Sequence, residues 1–466
     1  MAPVDAFLVN DPYYGANHLP DFIVVGPLFA GGEMVGFAAS MAHHTDVGGL
    51  TPRSMPATAT EIFHEGLRIP PVKLAAAGAV DQNLLTLIGA NSRLPEERMA
   101  DLGAQIATIQ VAQNRIDELA RRYDMAQLRF AMAQIIRLSE QTTRACIAAL
   151  PDQVWTGEAQ ADFGGVMIPL RVAISKNNDV LNIDFTGSGP QTESPFNSCL
   201  ANTLACVYMA VRITLAQGIP ANAGMYRALN ITIPDGSILN PRFPAAISAA
   251  TQVSYHTFEA LMDALSAFSP ALVLAGTGGG GVFSLAARIR APAGCSPMAR
   301  RWGGSGASHV ADGESGMIPP VANLHDTPVE VLEMSLPVRI LRYELVEGSA
   351  GRGASAAASV CGAPSRCLRR CAAPSRSACP PAGRMVYWGT AGAPTRIIVT
   401  PPDAKPRHIT GFSELSAPAD TLIEVETAGG GGYGPAAERD PTAAEQDRLY
   451  GYGVHGLGFQ AQEKQA

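Results

Sequence analysis

The sequence predicts an α+β fold: a mixed, multi-domain chain with a β-rich N-terminal region carrying a candidate metal site, a helical hairpin, and a Gly-rich β C-terminal part. Three observations lead there. Residues 5–75 read as short strands and loops, residues 95–150 carry an unbroken helical periodicity, and from about 155 strand patterns return among Gly-rich loops. At 466 residues the chain is too long for one small core. The expected segments are 1–94 (metal-site β/loop region), 95–152 (helical hairpin), 153–345 (α/β core region), 346–390 (an anomalous Ala/Arg/Cys/Pro-rich segment) and 391–466 (C-terminal β region and tail).

In chain order, Phe22–Val25 and Met34–Ser40 are strand-like and are joined by a Gly31-Gly32 turn, which puts His43 just past a strand end. Pro95-Glu96-Glu97 is a helix start, with proline and acids in the first turn. Leu102, Ile106, Ile109, Ala112, Ile116 and Leu119 then recur at helical spacing to Arg121-Arg122. A second helix, Met125 to Leu150, stops at Pro151. Val166–Ile174 and Val180–Phe185 predict a hairpin turning at Lys176–Asp179, with helices following at 198–217 and about 255–268.

Three Gly-rich loops follow, at Gly276–Gly281, Gly303–Gly306 and Gly429–Gly434. None has the strand-to-helix context of a phosphate-binding loop, so tight turns and close backbone packing are expected of them. From Gly351 to Arg384 every residue except Val360 and Leu368 is Ala, Cys, Gly, Pro, Arg or Ser, all encodable by GC-rich codons. This reads as wrong-frame translation of a GC-rich gene between two compensating shifts. A four-Cys zinc module would need paired C-x2-C knuckles that are missing, and a low-complexity linker is the remaining option. Residues 286–302 show a milder form of the same composition.

Composition narrows the function. A net charge of -7 gives no basic footprint, which argues against nucleic acid. The most membrane-like stretch, 198–217, is interrupted by Asn202 and Arg212 and reads as a buried helix. The start shows no signal peptide, so a cytoplasmic location and reduced thiols for the eight cysteines are expected.

Of nine histidines, three lie in two polar clusters near the start, Asn10–Asp21 and His43–Asp46. His, Asp and Glu converging from separate loops is how proteins hold a divalent metal. Pro20, between His18 and Asp21, argues for a rigid loop over a helix. Adjacent residues on an extended chain point opposite ways, so only one of His43 and His44 can face the metal. The other, with Asp46, is placed behind it or at the substrate.

These residues resemble the hydantoinase B / 5-oxoprolinase family. The likeness runs through Asn10-Asp11-Pro12-Tyr13, His18-Leu19-Pro20-Asp21, Ala42–Gly49, Ser54-Met55-Pro56, Glu61–Lys73, Asp101–Ala107, Asp184–Ser188, Pro220–Arg227, Thr327–Glu333, Gly429–Gly434 and Glu438–Pro441.

The resemblance implies a B-type subunit paired with a hydantoinase A-type subunit that binds ATP, together hydrolysing a small cyclic amide such as an N-methylhydantoin or 5-oxoproline. Related acetone carboxylases use the same architecture for ATP-driven carboxylation. The family's metal ligands map onto His18, Asp21 and His43, a set that suits zinc, manganese or iron equally. Glu65, Asp11 and Asp46 are the carboxylates expected to serve as general base or to position water.

Three departures stand out against the family. A segment usually precedes the Asn-Asp-Pro-Tyr motif, Arg53 stands where glycine is usual, and residues 351–384 replace strand sequence. These imply an alternative, a truncated or degenerate member without catalysis.

Overall fold

The computed structural model describes residues 1–162, 166–278, 280–284, 286–287, 298–317, 321, 327–336, 338–356, 360–362, 365–367, 371–376, 391–409 and 412–450. It divides into two compact units. One is Met1–Ser269 with Ser284–Pro297 and Ala372–Pro374, and the other is Pro270–Phe283, Met298–Cys371 and Ser375–Ala466. The division after Ser269 falls inside the stretch 153–345 that the sequence groups together.

The first unit is built on two sheets. Strands β1 (Ala6–Val9), β2 (Asp21–Ala30), β3 (Glu33–His43), β4 (Val72–Ala76) and β5 (Ala79–Val80) form an antiparallel sheet in the order β3-β2-β1-β4-β5. The β2–β3 hairpin turns at Gly31 and Gly32, both at positive φ, a conformation open to glycine without Cβ strain. Both strands are longer than their apolar runs suggest, and His43 is the last residue of β3 instead of the first beyond it.

Helix α1 (Gln82–Ala90) leads into α2 (Pro95–Arg122), which lies on β2 and β3. The apolar stripe of α2 closes a core of Leu8, Phe22, Val24, Ile62, Leu74, Ile88, Leu102 and Ile109. Helix α3 (Met125–Ala148) follows after Tyr123 and Asp124 and packs mainly on the short helix Ala223–Tyr226 instead of along α2; Asp124 caps it by accepting from Gln127 N.

The second sheet holds β6 (Val154–Asp162), β7 (Met167–Asn177), β8 (Val180–Asp184) and, after α4 (Leu200–Thr214) and α5 (Ala223–Tyr226), the parallel strand β9 (Leu229–Thr232). The β7–β8 turn places Asn178 at φ 55°, as a hairpin of this length requires. Helix α6 (Ala250–Ser266) packs on β6 and β7 and is buried along most of its length.

In the second unit, Val338–Ile340, Ser365–Cys367, Leu422–Glu426, Val360–Gly362 and Glu344–Val346 form a sheet in that order, and Arg396–Thr400 also pairs with Leu422–Glu426. Two of these strands come from the anomalous segment. Its side chains from 357 to 384 lie outside the described residues, and with them the wrong-frame, zinc and linker readings, as do the side chains of 286–302.

The Gly-rich loops bond to one another through the backbone: Gly278 N donates to Gly304 O at 2.8 Å, and Gly431 N to Gly276 O at 2.7 Å. A Cβ on Gly278 would sit 1.9 Å from Ala428 O, so this packing admits no side chain there.

Candidate metal centre

Three donors meet where β2 begins and β3 ends. Asp21 N donates to His18 O at 2.9 Å, closing a turn through Leu19 and Pro20 that sets His18 beside Asp21. Asn10 straps this turn to a second loop. Its Nδ2 donates to Leu19 O and to Leu67 O, each at 2.8 Å, and its Oδ1 accepts from Ile69 N at 2.6 Å. The β2–β3 register places His43 opposite Asp21, and directly opposed residues share a face.

His18 Nδ1 lies 2.6 Å from Asp21 Oδ2, and His43 Nδ1 lies 3.0 Å from Asp21 Oδ1. The imidazoles stand 4.9 Å apart, centroid to centroid. Burial pushes the Asp21 carboxyl up, but the charge and hydrogen bonds of His18 and His43 outweigh it and hold the group well below the usual carboxylate range.

One ligand atom from each of the three residues lies within 4.8 Å of the others, and among the described residues no other His, Cys, Asp or Glu trio converges this way. Two imidazole nitrogens and an ionised carboxylate, partly open to solvent, fit a divalent ion with room for a further ligand.

His44 points the other way, as the alternation of an extended chain requires. It stacks on Phe22 with ring centroids 4.2 Å apart, and its Nε2 lies 3.0 Å from Gln105 Oε1. Gln105 Nε2 donates to Phe22 O at 2.8 Å and Ser40 O at 3.0 Å, so its oxygen faces His44 and the imidazole carries its proton on Nε2. Burial brings the His44 pKa down to about 4, keeping it neutral. Gln105 thus holds the hairpin that aims His43. Its sequence signal is an amide inside the apolar stripe of α2, between Leu102 and Ile109.

The three candidate carboxylates part ways. Asp11 is buried; its Oδ1 accepts from Tyr13 N at 2.9 Å, capping the short helix Pro12–Tyr14, while its Oδ2 pairs with Arg68 Nε. Asp46 is equally buried. Its Oδ1 accepts from Gly48 N (3.1 Å) and Arg93 N (3.0 Å), and its Oδ2 accepts from Arg53 N (2.8 Å) and Arg93 Nη1 (3.0 Å). The oxygens of both aspartates face loop amides and arginines.

Glu65 is fully buried, and its Oε1 accepts from Ile247 N at 2.6 Å and Ser248 N at 2.7 Å. Burial raises its pKa to about 7 against the opposing pull of these amides, the Ser248 hydroxyl and the nearby His18. Arg53, noted for standing where glycine is usual, sits at φ 72°, ψ 14°, the left-handed region that glycine favours.

Cys199, which the sequence did not single out, stands at the N-terminal end of α4; its Sγ donates to Ala16 O and Asn17 O at 3.3 Å each. Burial pushes this thiol up to about 12, which makes it a tether for the His18 turn and a poor nucleophile.

The sequence model of the Hydantoinase B/oxoprolinase family matches residues 1–436. An uncharacterized protein of Methanocaldococcus jannaschii is 31% identical over 447 residues, covering 94% of this chain and 77% of that protein. The beta chain of the Pseudomonas jessenii caprolactamase is 30% identical over 373 residues, covering 76% of this chain and 62% of the relative. The B-type chain of a putative D-/L-hydantoinase from a Pseudomonas species is 28% identical, and the match spans 61% of its length.

The crystal structure of the ATP-dependent caprolactamase from Pseudomonas jessenii superposes with a TM-score of 0.87 at 25% identity, over 98% of this chain and 84% of that one. The nucleotide-free acetone carboxylase structure superposes with a TM-score of 0.83 at 18% identity, over 97% and 68% of the two chains, a likeness of fold. Among the described residues no helix is long and apolar enough to cross a membrane.

Proposed function

Because this chain belongs to the hydantoinase B/oxoprolinase family, we propose that it is the B-type subunit of an ATP-dependent cyclic amide hydrolase, working with an A-type subunit that binds ATP. The observation that carries this reading is the convergence of His18, Asp21 and His43 in a chain related to subunits named for hydantoinase and caprolactamase. An unstrained amide is a poor electrophile, since its nitrogen donates into the carbonyl. Transfer of the ATP γ-phosphoryl group to the amide oxygen on the partner releases ADP and turns that oxygen into a leaving group, so water can attack the carbon and phosphate departs.

On this reading His18, Asp21 and His43 hold one divalent ion. Such an ion supplies Lewis acidity: it stabilises charge at a carbonyl or phosphoryl oxygen and makes water more acidic. Glu65 is the carboxyl assigned to proton transfer. Its pKa of about 7 lets it take and return a proton near neutrality, and His18 lies close enough to act on its charge. Asp11 and Asp46 position Arg68 and Arg93 and move no proton.

The test is to co-express the chain with its neighbour-encoded A-type subunit. The metal content is measured, then ATP turnover with a hydantoin, 5-oxoproline and caprolactam, and separately with a ketone plus bicarbonate. Amide-dependent turnover that disappears in His18→Ala is expected. Turnover only with ketone and bicarbonate would establish the carboxylase reading instead, and a metal-free complex with no turnover would establish a non-catalytic member.

A further inference from the structure

Arg68 is fixed from two sides. Its Nε is paired with the buried Asp11 carboxylate, and its guanidinium carbon lies 4.6 Å from the ring centroid of Phe243 and 5.8 Å from that of Phe63. Those two rings stand 5.7 Å apart and nearly perpendicular, at 83°, and Tyr13 meets Phe243 edge-on at 5.4 Å. Tyr13 is itself pinned, its hydroxyl donating to Ala245 O at 2.8 Å. An arginine lying over aromatic rings and anchored through Nε has little rotamer freedom left to lose on binding.

Among the described residues the guanidinium's only hydrogen-bonded partner is Asp11, through Nε, so both η nitrogens are available. Arg68 is 28% exposed, while Phe63 and Phe243 are 54% and 49% exposed, unusually high for large aromatic rings. The cluster lies beside the candidate metal centre: the same Asn10 amide bonds Leu19, between His18 and Asp21, and Leu67, the neighbour of Arg68.

We propose that Arg68, held by Asp11 and walled by Phe63, Phe243 and Tyr13, is an oxyanion-binding site that orients the substrate beside the metal centre. This rests on the hydrolase reading above. A guanidinium fork with two parallel N–H groups matches a carboxylate or a phosphoryl group in shape and charge and binds either more strongly than a neutral carbonyl. Two sources carry that chemistry, the substrate's own carboxylate, as in 5-oxoproline, and a phosphoryl group placed on the amide by ATP. The aromatic walls supply an apolar flank for the ring.

The experiment uses the full chain in complex with its A-type subunit and compares wild type, Arg68→Ala and Arg68→Lys. Binding of 5-oxoproline and of inorganic phosphate is followed by titration calorimetry, which needs no turnover. At least one of the two should bind about 10- to 100-fold more weakly to Arg68→Ala, with Arg68→Lys partly rescuing, in line with the loss of charge-assisted bonds.

Kinetics then separate the sources. A raised KM for 5-oxoproline with caprolactam unaffected identifies the substrate carboxylate, and an equal fall in kcat/KM for both identifies the phosphoryl group. Unchanged binding of both probes in a folded Arg68→Ala complex overturns the proposal. A complex that binds a probe through Arg68 yet turns over no amide overturns the hydrolase reading alone.

Discussion

Glu65→Gln tests the buried carboxyl directly. The amide oxygen of glutamine can keep both bonds from Ile247 N and Ser248 N, so the substitution removes the titration while keeping those bonds. In the folded chain Glu65 titrates at about 7 against 4.5 when solvated, so between those values the native state binds the extra proton. Stability therefore falls as pH rises through that window and is flat above it. At 1.36 kcal/mol per pH unit the whole loss comes to about 3 kcal/mol. Glu65→Gln should match wild type at pH 4.5 and exceed it by about 3 kcal/mol at pH 8. Urea unfolding across this range gives the difference, and hydrogen exchange of the Ile247 and Ser248 amides localises it. Parallel curves for the two proteins would refute the account of Glu65 as a carboxyl destabilised by burial.

Further expectations follow from the same geometry. His18→Ala and Asp21→Asn should each abolish stoichiometric metal in the purified complex, read by elemental analysis; retention of the metal by both would sink the ligand assignment. Gln105→Ala strands His44 and two strand carbonyls and should cost about 3 kcal/mol in urea unfolding, since each buried group left without a partner costs roughly 1–3 kcal/mol. A loss below about 1 kcal/mol would mean that water replaces the amide. Arg53→Gly should stabilise the chain by about 1 kcal/mol by relieving left-handed backbone at φ 72°; a lower melting temperature would show that the buried arginine side chain contributes more than the strain costs.

Much of the fold was readable because it is locally encoded. The stripe of α2, the span of α3 and the β7–β8 turn each depend on residues close in sequence, and they fall where the patterns put them. The pairing of His18 with Asp21 was readable for the same reason, since one turn sets both. What eluded sequence reasoning depends on distant backbone. Asp11 and Asp46 looked like chemistry because an acid in a polar loop is ambiguous until its donors are known, and Arg93 lies 47 residues from Asp46. Gln105 and Arg68 acquire their meaning only when α2 meets the β2–β3 ladder and when Phe243 meets Phe63. The short α1 was missed because it spans only nine residues.

The pairing of Asp21 with His43 makes the candidate centre a proofreader of the β2–β3 ladder. A slip of one residue would set Ala42 or His44 against Asp21 and turn the β3 side chains onto the opposite face. The slipped chain could be just as rich in β-structure while lacking the donor trio. An ion held by the proposed trio would lower the free energy of the correctly paired state alone. If the trio holds an ion as proposed, metal present during synthesis favours the correct pairing over a slipped one.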